Sequence, residues 1–284
     1  MPEVITTKPA RRQPHKPEKP KKRNLWEHLE KLRWHLIRSL TVITLFSILA
    51  FVNRHFIFDT LLLSPRNAGF PTNVFLCNIG KLLDVESLCF NTHALKIINV
   101  SMSGQFLTHL YISFIAGAIA AFPYVLFEIW RYVAGVFRIR TTKAAFLPVL
   151  GGTLLFIAGV LFSYFLIVPL TVNFLGTYHV SSDVQNSITL SSYIGTISSL
   201  VLGVGIVFEL PVVMYILARQ GLVTPKFLRE KRKYTIVILL TLSAIITPPD
   251  IISQIMVCLP LLLLYEISIF VASLATGKFQ KAAD

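Results

Sequence analysis

The sequence predicts an all-α integral membrane protein with six transmembrane helices and both termini on the cytoplasmic side. Apolar residues make up 54% of the 284 residues, charged residues make up only 14%, and the mean hydropathy is +0.66. Soluble domains are less apolar, so most of this chain is expected to be surrounded by lipid. The apolar residues form long segments, and 23 of the 27 Lys and Arg residues lie in the termini and alternate loops. This alternation predicts the orientation, because cytoplasmic loops carry most basic residues.

The first 24 residues are predicted to be a disordered, basic cytoplasmic tail. Residues 1–24 contain five prolines and eight Lys or Arg residues, and almost nothing apolar that a core could bury. Arg11 and Arg12 do not begin an export signal, because the residues that follow are polar and such a signal needs an apolar segment. The membrane domain is expected to cover residues 25–277, followed by a short cytoplasmic tail over residues 278–284.

The first helix is predicted to begin at residue 25, because Asn24 is a suitable N-cap. Its first turns are amphipathic, so this part is expected to lie along the membrane surface. The helix then continues into the first transmembrane segment, from His35 to Phe51.

Residues 59–105 form a predicted extracytoplasmic loop that includes Pro65 and Gln105. Cys77 and Cys89 lie in this loop, where an oxidising compartment permits a disulfide between them. Their spacing alone does not fix the geometry of such a bond, so the pairing stays open at this point.

The second and third transmembrane segments are predicted over residues 106–129 and 145–170. Pro123 interrupts the second segment and Pro169 is expected to end the third, because proline removes a helical hydrogen bond. The sequence Glu-Ile-Trp-Arg at residues 128–131 is typical of a membrane interface, where aromatic and basic side chains collect.

The fourth predicted segment, residues 192–217, carries a single carboxylate, Glu209, near its middle. A charge at this depth costs roughly 3 kcal/mol on insertion scales, so such a residue normally faces a protein groove or water and is functional. Pro211 has no N–H to bond the carbonyl of Val207, so the helix is expected to open close to Glu209. The alternative interpretation is a protonated or internally paired glutamate in the core.

The same segment also predicts a helix-packing face. Gly195, Ser199 and Gly203 recur every four residues, and such a stripe of small residues allows another helix to approach closely. At 100° per residue Glu209 lies about 120° from this stripe. The stripe is therefore expected to pack on a neighbouring helix while the carboxylate faces a cavity.

The fifth segment is predicted to be short and to be joined to the sixth by a sharp structural turn. Only sixteen residues separate Lys233 from Asp250. They form about 24 Å of helix, against a hydrocarbon core of roughly 30 Å. Pro248 and Pro249 favour an extended backbone. Asp250 is expected to cap the sixth helix, which covers residues 251–272.

The sequence contains no pattern typical of an enzyme, a metal site or a cofactor site. Motifs for zinc hydrolysis, serine hydrolysis and nucleotide binding are lacking, and Cys77, Cys89 and Cys258 do not have metal-ligand spacing. A net charge of +13 in a soluble protein would suggest nucleic acid, but here it follows from membrane orientation and favours contact with anionic lipid. We therefore predict a non-enzymatic protein with no cofactor, metal or nucleic-acid partner.

Several motifs along the chain occur together in one known family. They are Phe-Glu-Leu-Pro at residues 208–211, Leu-Arg-Glu-Lys-Arg-Lys-Tyr at 228–234, Thr-Pro-Pro-Asp at 247–250 with Ser-Gln at 253–254, and Tyr-Glu at 265–266. In this combination the chain resembles the TatC family, the multispanning core and receptor subunit of the twin-arginine protein translocase. The resemblance covers nearly the whole chain after the basic tail.

The resemblance implies a fold and a set of partners. The family fold is a cupped, concave wall of six helices with short fifth and sixth helices, in the bacterial inner membrane. The implied function is to bind the twin-arginine signal peptides of folded cargo proteins and to assemble with single-span TatA-like and TatB-like partners in a homo- or hetero-oligomer. Glu209, Pro211 and Gln254 are then the expected intramembrane contacts with a partner.

Two positions depart from the family pattern. Lys31 stands where the family usually has the glutamate associated with the signal's arginines, and residues 135–143 contain no acid at all. Glu27, Glu30 and Arg33 in the N-terminal helix thus become the candidate signal-peptide residues.

Two other functions remain open on the sequence alone. A transporter coupled to protons or a solute would also use a carboxylate such as Glu209 beside a proline. A divergent member of the family that has lost signal binding would keep the fold without the carboxylates at the two departing positions.

Overall fold

The computed structural model describes residues 25–67, 69–82, 97–136, 142–178, 181, 187–247 and 251–280. This part of the chain is almost entirely helical. The α-helices are α1 (Leu25–Val52), α2 (Pro71–Leu82), α3 (Gly104–Val136), α4 (Thr142–Phe162), α5 (Val168–Thr177), α6 (Leu190–Val207), α7 (Leu210–Arg219), α8 (Pro225–Glu230), α9 (Arg232–Ile246) and α10 (Ile251–Gln280). Two π-helical turns (Phe56–Leu62 and Ser163–Ile167), a 3-10 turn (Ser64–Arg66) and two strands, β1 (Ile97–Ile98) and β2 (Ile188–Thr189), complete it.

Five helical segments within the described residues are long and apolar enough to cross a membrane. They are Leu29–Val52, Gly104–Gly135, Pro148–Thr177, Leu190–Arg219 and Ser253–Ala275. The helix α9 is not among them, because its 15 residues reach only about 22 Å, less than a hydrocarbon core of about 30 Å. It occupies the position of the short fifth segment that the sequence predicts. The expectation of a short sixth helix is wrong, because α10 has 30 residues and includes a segment long enough to cross a membrane.

The N-terminal helix continues without a break into the first apolar segment, as the sequence predicts. α1 is one uninterrupted helix of 28 residues from Leu25 to Val52. The amphipathic first turns therefore continue directly into the apolar segment. No proline or glycine lies within α1 to break the helix between the two parts.

The prediction that Pro169 ends the third segment is wrong. The helix continues through the π-helical turn Ser163–Ile167 into α5, and Pro169 lies in the first turn of α5. Proline has no N–H to bond the carbonyl of Phe165, four residues earlier. The Thr72 hydroxyl of α2 donates to that carbonyl instead. The predicted interruption at Pro123 is also wrong, because Pro123 lies inside the continuous helix α3.

Two tyrosines of the long helices form hydrogen bonds with the segment that follows α1. The Tyr164 hydroxyl donates to the Leu61 carbonyl at 2.8 Å, and the Tyr193 hydroxyl donates to the Leu62 carbonyl at 2.9 Å. Both carbonyls belong to the π-helical turn Phe56–Leu62, where regular α-helical bonding ends. β1 and β2 add a short parallel pair, in which Ile97 is opposite Ile188.

The core is centred on α6, whose buried apolar face includes Ile194, Leu200 and Val204. The expected stripe of small residues packs at Gly203 alone, where a Cβ would lie 2.7 Å from Ile246. Gly195 has open space around it and Ser199 is exposed. This part of the prediction is wrong, because the bulkier β-branched face of α6 is the one that packs inward.

The close helix approach lies elsewhere, between α4 and α6. A Cβ on Gly159 would lie 3.0 Å from the Cα of Gly205 and 2.7 Å from the ring of Phe208. Two glycines facing each other let the two backbones approach. This approach brings α4 next to the end of α6.

Candidate functional site

Glu209 lies at a break between two helices, as the sequence predicts. α6 ends at Val207 and α7 begins at Leu210, with Pro211 in its first turn. The N–H of Glu209 bonds the carbonyl of Ile206 at 3.1 Å, three residues back instead of four. The missing N–H of Pro211 explains this interruption.

The carboxylate of Glu209 is enclosed by protein and has no hydrogen-bond partner among the described residues. Glu209 is 8% exposed, and neither carboxylate oxygen bonds to another group. A Cβ added to Gly152 of α4 would lie 2.8 Å from Oε2 of Glu209 and 2.5 Å from Cδ2 of Leu126. The predicted opening to a cavity is therefore not observed. The carboxylate instead fills the space that the missing side chain of Gly152 leaves beside α3 and α4.

A second predicted polar contact, Gln254, joins α10 to α9. Its Nε2 donates to the carbonyl of Leu240 at 3.1 Å. At the end of α9 the Thr247 hydroxyl donates to the carbonyl of Ser243 at 2.9 Å. Gln254 therefore has a partner of its own and makes no hydrogen bond to Glu209.

The turn that the sequence predicts after α9 lies outside the described residues. This applies to Pro248, Pro249 and Asp250. The described ends on either side, Thr247 and Ile251, belong to the end of α9 and the start of α10.

The candidate signal-peptide residues lie in the first three turns of α1. Glu30 and Arg33 are exposed, as is Lys31 between them, and none of the three has an ion-pair partner in the described part of the chain. Glu27 lies in the same helix, but its side chain is not among those that the structure describes. The backbone of α1 thus presents the predicted charges on one exposed helical end.

Sequence reasoning missed the polar cluster around Glu128. Glu128 is 1% exposed and accepts a hydrogen bond at Oε2 from Nδ1 of His35, across the contact between α1 and α3. Its Oε1 accepts from the Tyr124 hydroxyl at 3.1 Å and from Arg131 Nη1 at 3.2 Å. The i−4 and i+3 spacing of Tyr124 and Arg131 is visible in the sequence. The partner His35, 93 residues away, is not.

The predicted extracytoplasmic residues have separate environments. Pro65 is buried in the 3-10 turn, whereas Gln105 is exposed near the start of α3. Cys77 is disulfide-bonded and Cys258 is a free, buried thiol. Cys89 lies outside the described residues, so its pairing with Cys77 stays a prediction.

The described residues contain no group of three or more His, Cys, Asp or Glu side chains that could hold a metal ion. The ends of α9 and α10 that lie near α8 are instead joined by direct bonds. Arg232 of α9 pairs with Glu266 of α10 at 2.7 Å, and the Tyr265 hydroxyl donates to the carbonyl of Leu228 at 2.8 Å. Both contacts join the motif at residues 228–234 to the motif at residues 265–266.

Comparison with known proteins gives the same family from three directions. The family described as TatC, Sec-independent protein translocase protein, matches residues 27–260. Two curated relatives are each 36% identical and are named Sec-independent protein translocase protein TatC. The one from Blattabacterium sp. subsp. Periplaneta americana (strain BPLAN) aligns over 255 residues, and the one from Aquifex aeolicus (strain VF5) aligns over 256. Both alignments cover 89% of this chain and 96% of the relative.

The fold is also similar to solved structures. A crystal structure of the twin-arginine translocase receptor TatC superposes with a TM-score of 0.69 at 33% sequence identity. That alignment covers 88% of this chain and 99% of the other. A second crystal structure, of the same receptor in DDM, superposes with a TM-score of 0.70 at 32% identity.

Proposed function

This chain belongs to the TatC family of Sec-independent protein translocase proteins, and we propose that it is the core, receptor subunit of a twin-arginine translocase. In this function it binds the twin-arginine signal peptides of folded cargo and assembles with TatA-like and TatB-like single-span proteins. Two curated TatC relatives share 36% of its residues over almost their whole length.

The proposed topology has six spans with both termini in the cytoplasm of a bacterial cell. α9 is the short fifth span, and the bilayer thins locally beside it to match its length. The distribution of Lys and Arg residues supports this orientation. The six helices form a cupped wall in the inner membrane, where the protein forms homo- or hetero-oligomers and contacts lipid.

The single observation that carries the proposed partner contact is the unpaired carboxylate of Glu209. A buried polar side chain normally has a hydrogen-bond partner, and an exception in a membrane helix points to a missing one. The oxygens of Glu209 are sealed among α3, α4 and α7 with no donor available in the described residues. A polar side chain on a single-span helix that docks here and displaces the side chain of Leu126 would supply that donor.

Cross-linking to a single-span partner tests this contact. We place a photo-reactive residue at Val213, which is exposed one turn after Glu209, and express the full chain in a strain that lacks its own subunit of this family. Glu209→Leu is expected to abolish the cross-link and the export of a folded reporter, whereas Glu209→Gln keeps most of both because the amide retains an acceptor. Ser199→Leu, at an exposed site of the same span, is the control. Unchanged cross-linking in Glu209→Leu would refute the contact.

Signal-peptide binding is proposed to use Glu27, Glu30 and Arg33. The two arginines of a signal are best held by carboxylates that accept paired hydrogen bonds. The loop at residues 135–143 has no acid, so the carboxylates are expected to come from α1 or from helix ends near it. Glu30 is exposed and unpaired within the described chain, which leaves its carboxylate available.

A charge-reversal experiment tests the signal site. Glu27→Lys combined with Glu30→Lys is expected to abolish cross-linking to a twin-arginine signal peptide, and Lys31→Glu is expected to strengthen it. If the wild-type chain gives no cross-link while Lys31→Glu with Thr141→Glu creates one, the chain is a paralogue that has lost signal binding. If neither variant binds and Glu209 variants change proton flux instead, the transporter function is the correct one.

A further inference from the structure

A polar cavity lies beside the C-terminal end of α1. Its volume is about 570 Å³, and it is lined by residues that follow α1, by the π-helical turn and by the starts of α3 and α6. The polar members are Arg54, His55, Asp59, Gln105 and His109, with the apolar side chains of Phe58, Phe106 and Leu190 around them. The cavity therefore combines one permanent positive charge and one carboxylate in an apolar frame.

Several of these polar groups lack a partner in the described part of the chain. Arg54 is exposed and makes no ion pair there. Asp59 has a single partner, Nδ1 of His55 at 3.2 Å. Nε2 of His109 is shielded from solvent and has no hydrogen-bond partner. A ligand with one anionic and one cationic group would complement Arg54 and Asp59.

An apolar groove begins beside this cavity. It has a volume of about 650 Å³ between α1 and α3, and Thr44, Ile48, Phe51, Leu110 and Phe114 are among the residues that line it. Phe51 of the groove stacks on His109 of the cavity, with ring centroids 4.1 Å apart and an angle of 11°. The two spaces therefore meet at this aromatic pair.

The dimensions of the two spaces match one leaflet of a bilayer. The ten residue steps from Thr44 to Arg54 correspond to about 15 Å along a helix. This is about half of a hydrocarbon core of roughly 30 Å. A molecule that spans both spaces would carry its charged group at the membrane surface and an acyl chain in the groove.

We propose that the cavity and groove form a binding site for one zwitterionic phospholipid with a primary amine headgroup. The phosphate binds Arg54, whose planar guanidinium forms paired hydrogen bonds to phosphate oxygens. The ammonium group binds the carboxylate of Asp59, and one acyl chain fills the groove along Phe51. The lipid thereby joins the end of α1 to α3 at the membrane surface. This inference depends on the chain spanning a membrane and not on the translocase function.

The headgroup is tested by native mass spectrometry of the full-length protein in detergent with added dioleoyl phosphatidylethanolamine or dioleoyl phosphatidylglycerol. The wild-type protein is expected to retain the amine lipid preferentially. Arg54→Gln lowers retention of both lipids about tenfold, the loss expected for a charge-assisted hydrogen bond. Asp59→Asn removes only the preference for the amine lipid. Lys81→Gln, an exposed cation outside the cavity, leaves both unchanged. Equal retention by the wild type and Arg54→Gln would overturn the site.

The groove is tested by filling it. Thr44→Trp, inside the groove, is expected to abolish lipid retention, whereas Thr41→Trp, exposed one turn earlier and outside it, does not. Soluble phosphoethanolamine, which has no acyl chain, is expected not to compete with the lipid. Full competition by phosphoethanolamine, or equal retention in both tryptophan variants, would contradict the lipid site. Matching thermal unfolding curves of all variants ensure that the comparison concerns folded protein.

Discussion

Two buried glutamates, Glu128 and Glu209, have opposite environments in the same membrane protein. Glu128 is 1% exposed and accepts hydrogen bonds from three side chains, and Glu209 is 8% exposed and accepts none in the described chain. Both lie in helical segments long enough to cross the membrane. Burial alone therefore does not distinguish the two carboxylates. They differ in the number of their hydrogen-bond partners.

This difference indicates that the two carboxylates have different roles in the protein. Glu128 connects α1 to α3 through His35, and breaking such a buried pair is costly because a polar group is left without its partner. Glu209 contributes no such bond, so its burial is a cost to the isolated chain. Because the burial of Glu209 lowers the stability of the isolated chain, we expect its carboxylate to gain a hydrogen-bond partner from another molecule.

Local backbone structure explains why the partners differ. Glu128 lies in the uninterrupted helix α3, where Tyr124 and Arg131 are on the same face at i−4 and i+3. Glu209 lies in the break before Pro211, and the residue that faces it across the helix contact is Gly152, which has no side chain to offer. The carboxylate at the break therefore faces a position that offers no hydrogen-bond donor.

The largest expected effect is that of Glu128→Ala. It removes three hydrogen bonds and leaves His35 without its partner, so the free energy of unfolding is expected to fall by about 3 kcal/mol. Thermal unfolding in detergent measures this loss. The unfolding is monitored by the reaction of a fluorogenic maleimide with the thiol of Cys258, which is buried in the folded protein. Glu266→Ala is the matched control, because its ion pair with Arg232 is about half exposed. That pair is expected to contribute less than about 1 kcal/mol. Equal losses in the two variants would remove the distinction between a buried and an exposed pair.

A smaller effect is expected for Gly152→Ala, which tests how tightly Glu209 is enclosed. The new Cβ would lie within 3 Å of both Glu209 Oε2 and Leu126 Cδ2, so these chain ends must shift. Gly151→Ala is the control, because its Cβ would meet nothing within 4 Å. We expect Gly152→Ala to be less stable than Gly151→Ala by about 1 to 2 kcal/mol, since both gain the same helix propensity and only one is overpacked. Identical unfolding temperatures would show that the carboxylate is loosely held.

The smallest effect on stability is expected for Glu209→Leu. Replacing an unpaired buried carboxylate with an apolar side chain of similar size leaves the free energy of unfolding unchanged or slightly higher. The same variant is expected to lose the partner cross-link at Val213. A loss of stability as large as that of Glu128→Ala would show that Glu209 has an internal partner and that the contrast between the two glutamates is false.

Much of this protein was determined by local features of its sequence. Long apolar segments predict membrane helices because the bilayer leaves the backbone few alternatives. The break at Glu209 follows from the missing N–H of Pro211, which acts within one turn of the same helix. The motifs at residues 208–211 and 265–266 carried the family resemblance, which the comparisons confirm.

The tertiary structure alone decided which groups meet across helices. It paired Glu128 with His35 at a separation of 93 residues, and it supplied Thr72 to the carbonyl that Pro169 leaves free. It also packed the β-branched face of α6 inward and left Gly195 in open space, against the prediction from the small-residue stripe. Helical periodicity shows which residues share a face. The neighbour of that face depends on how distant helices fill space together, and no local pattern in a single sequence encodes this.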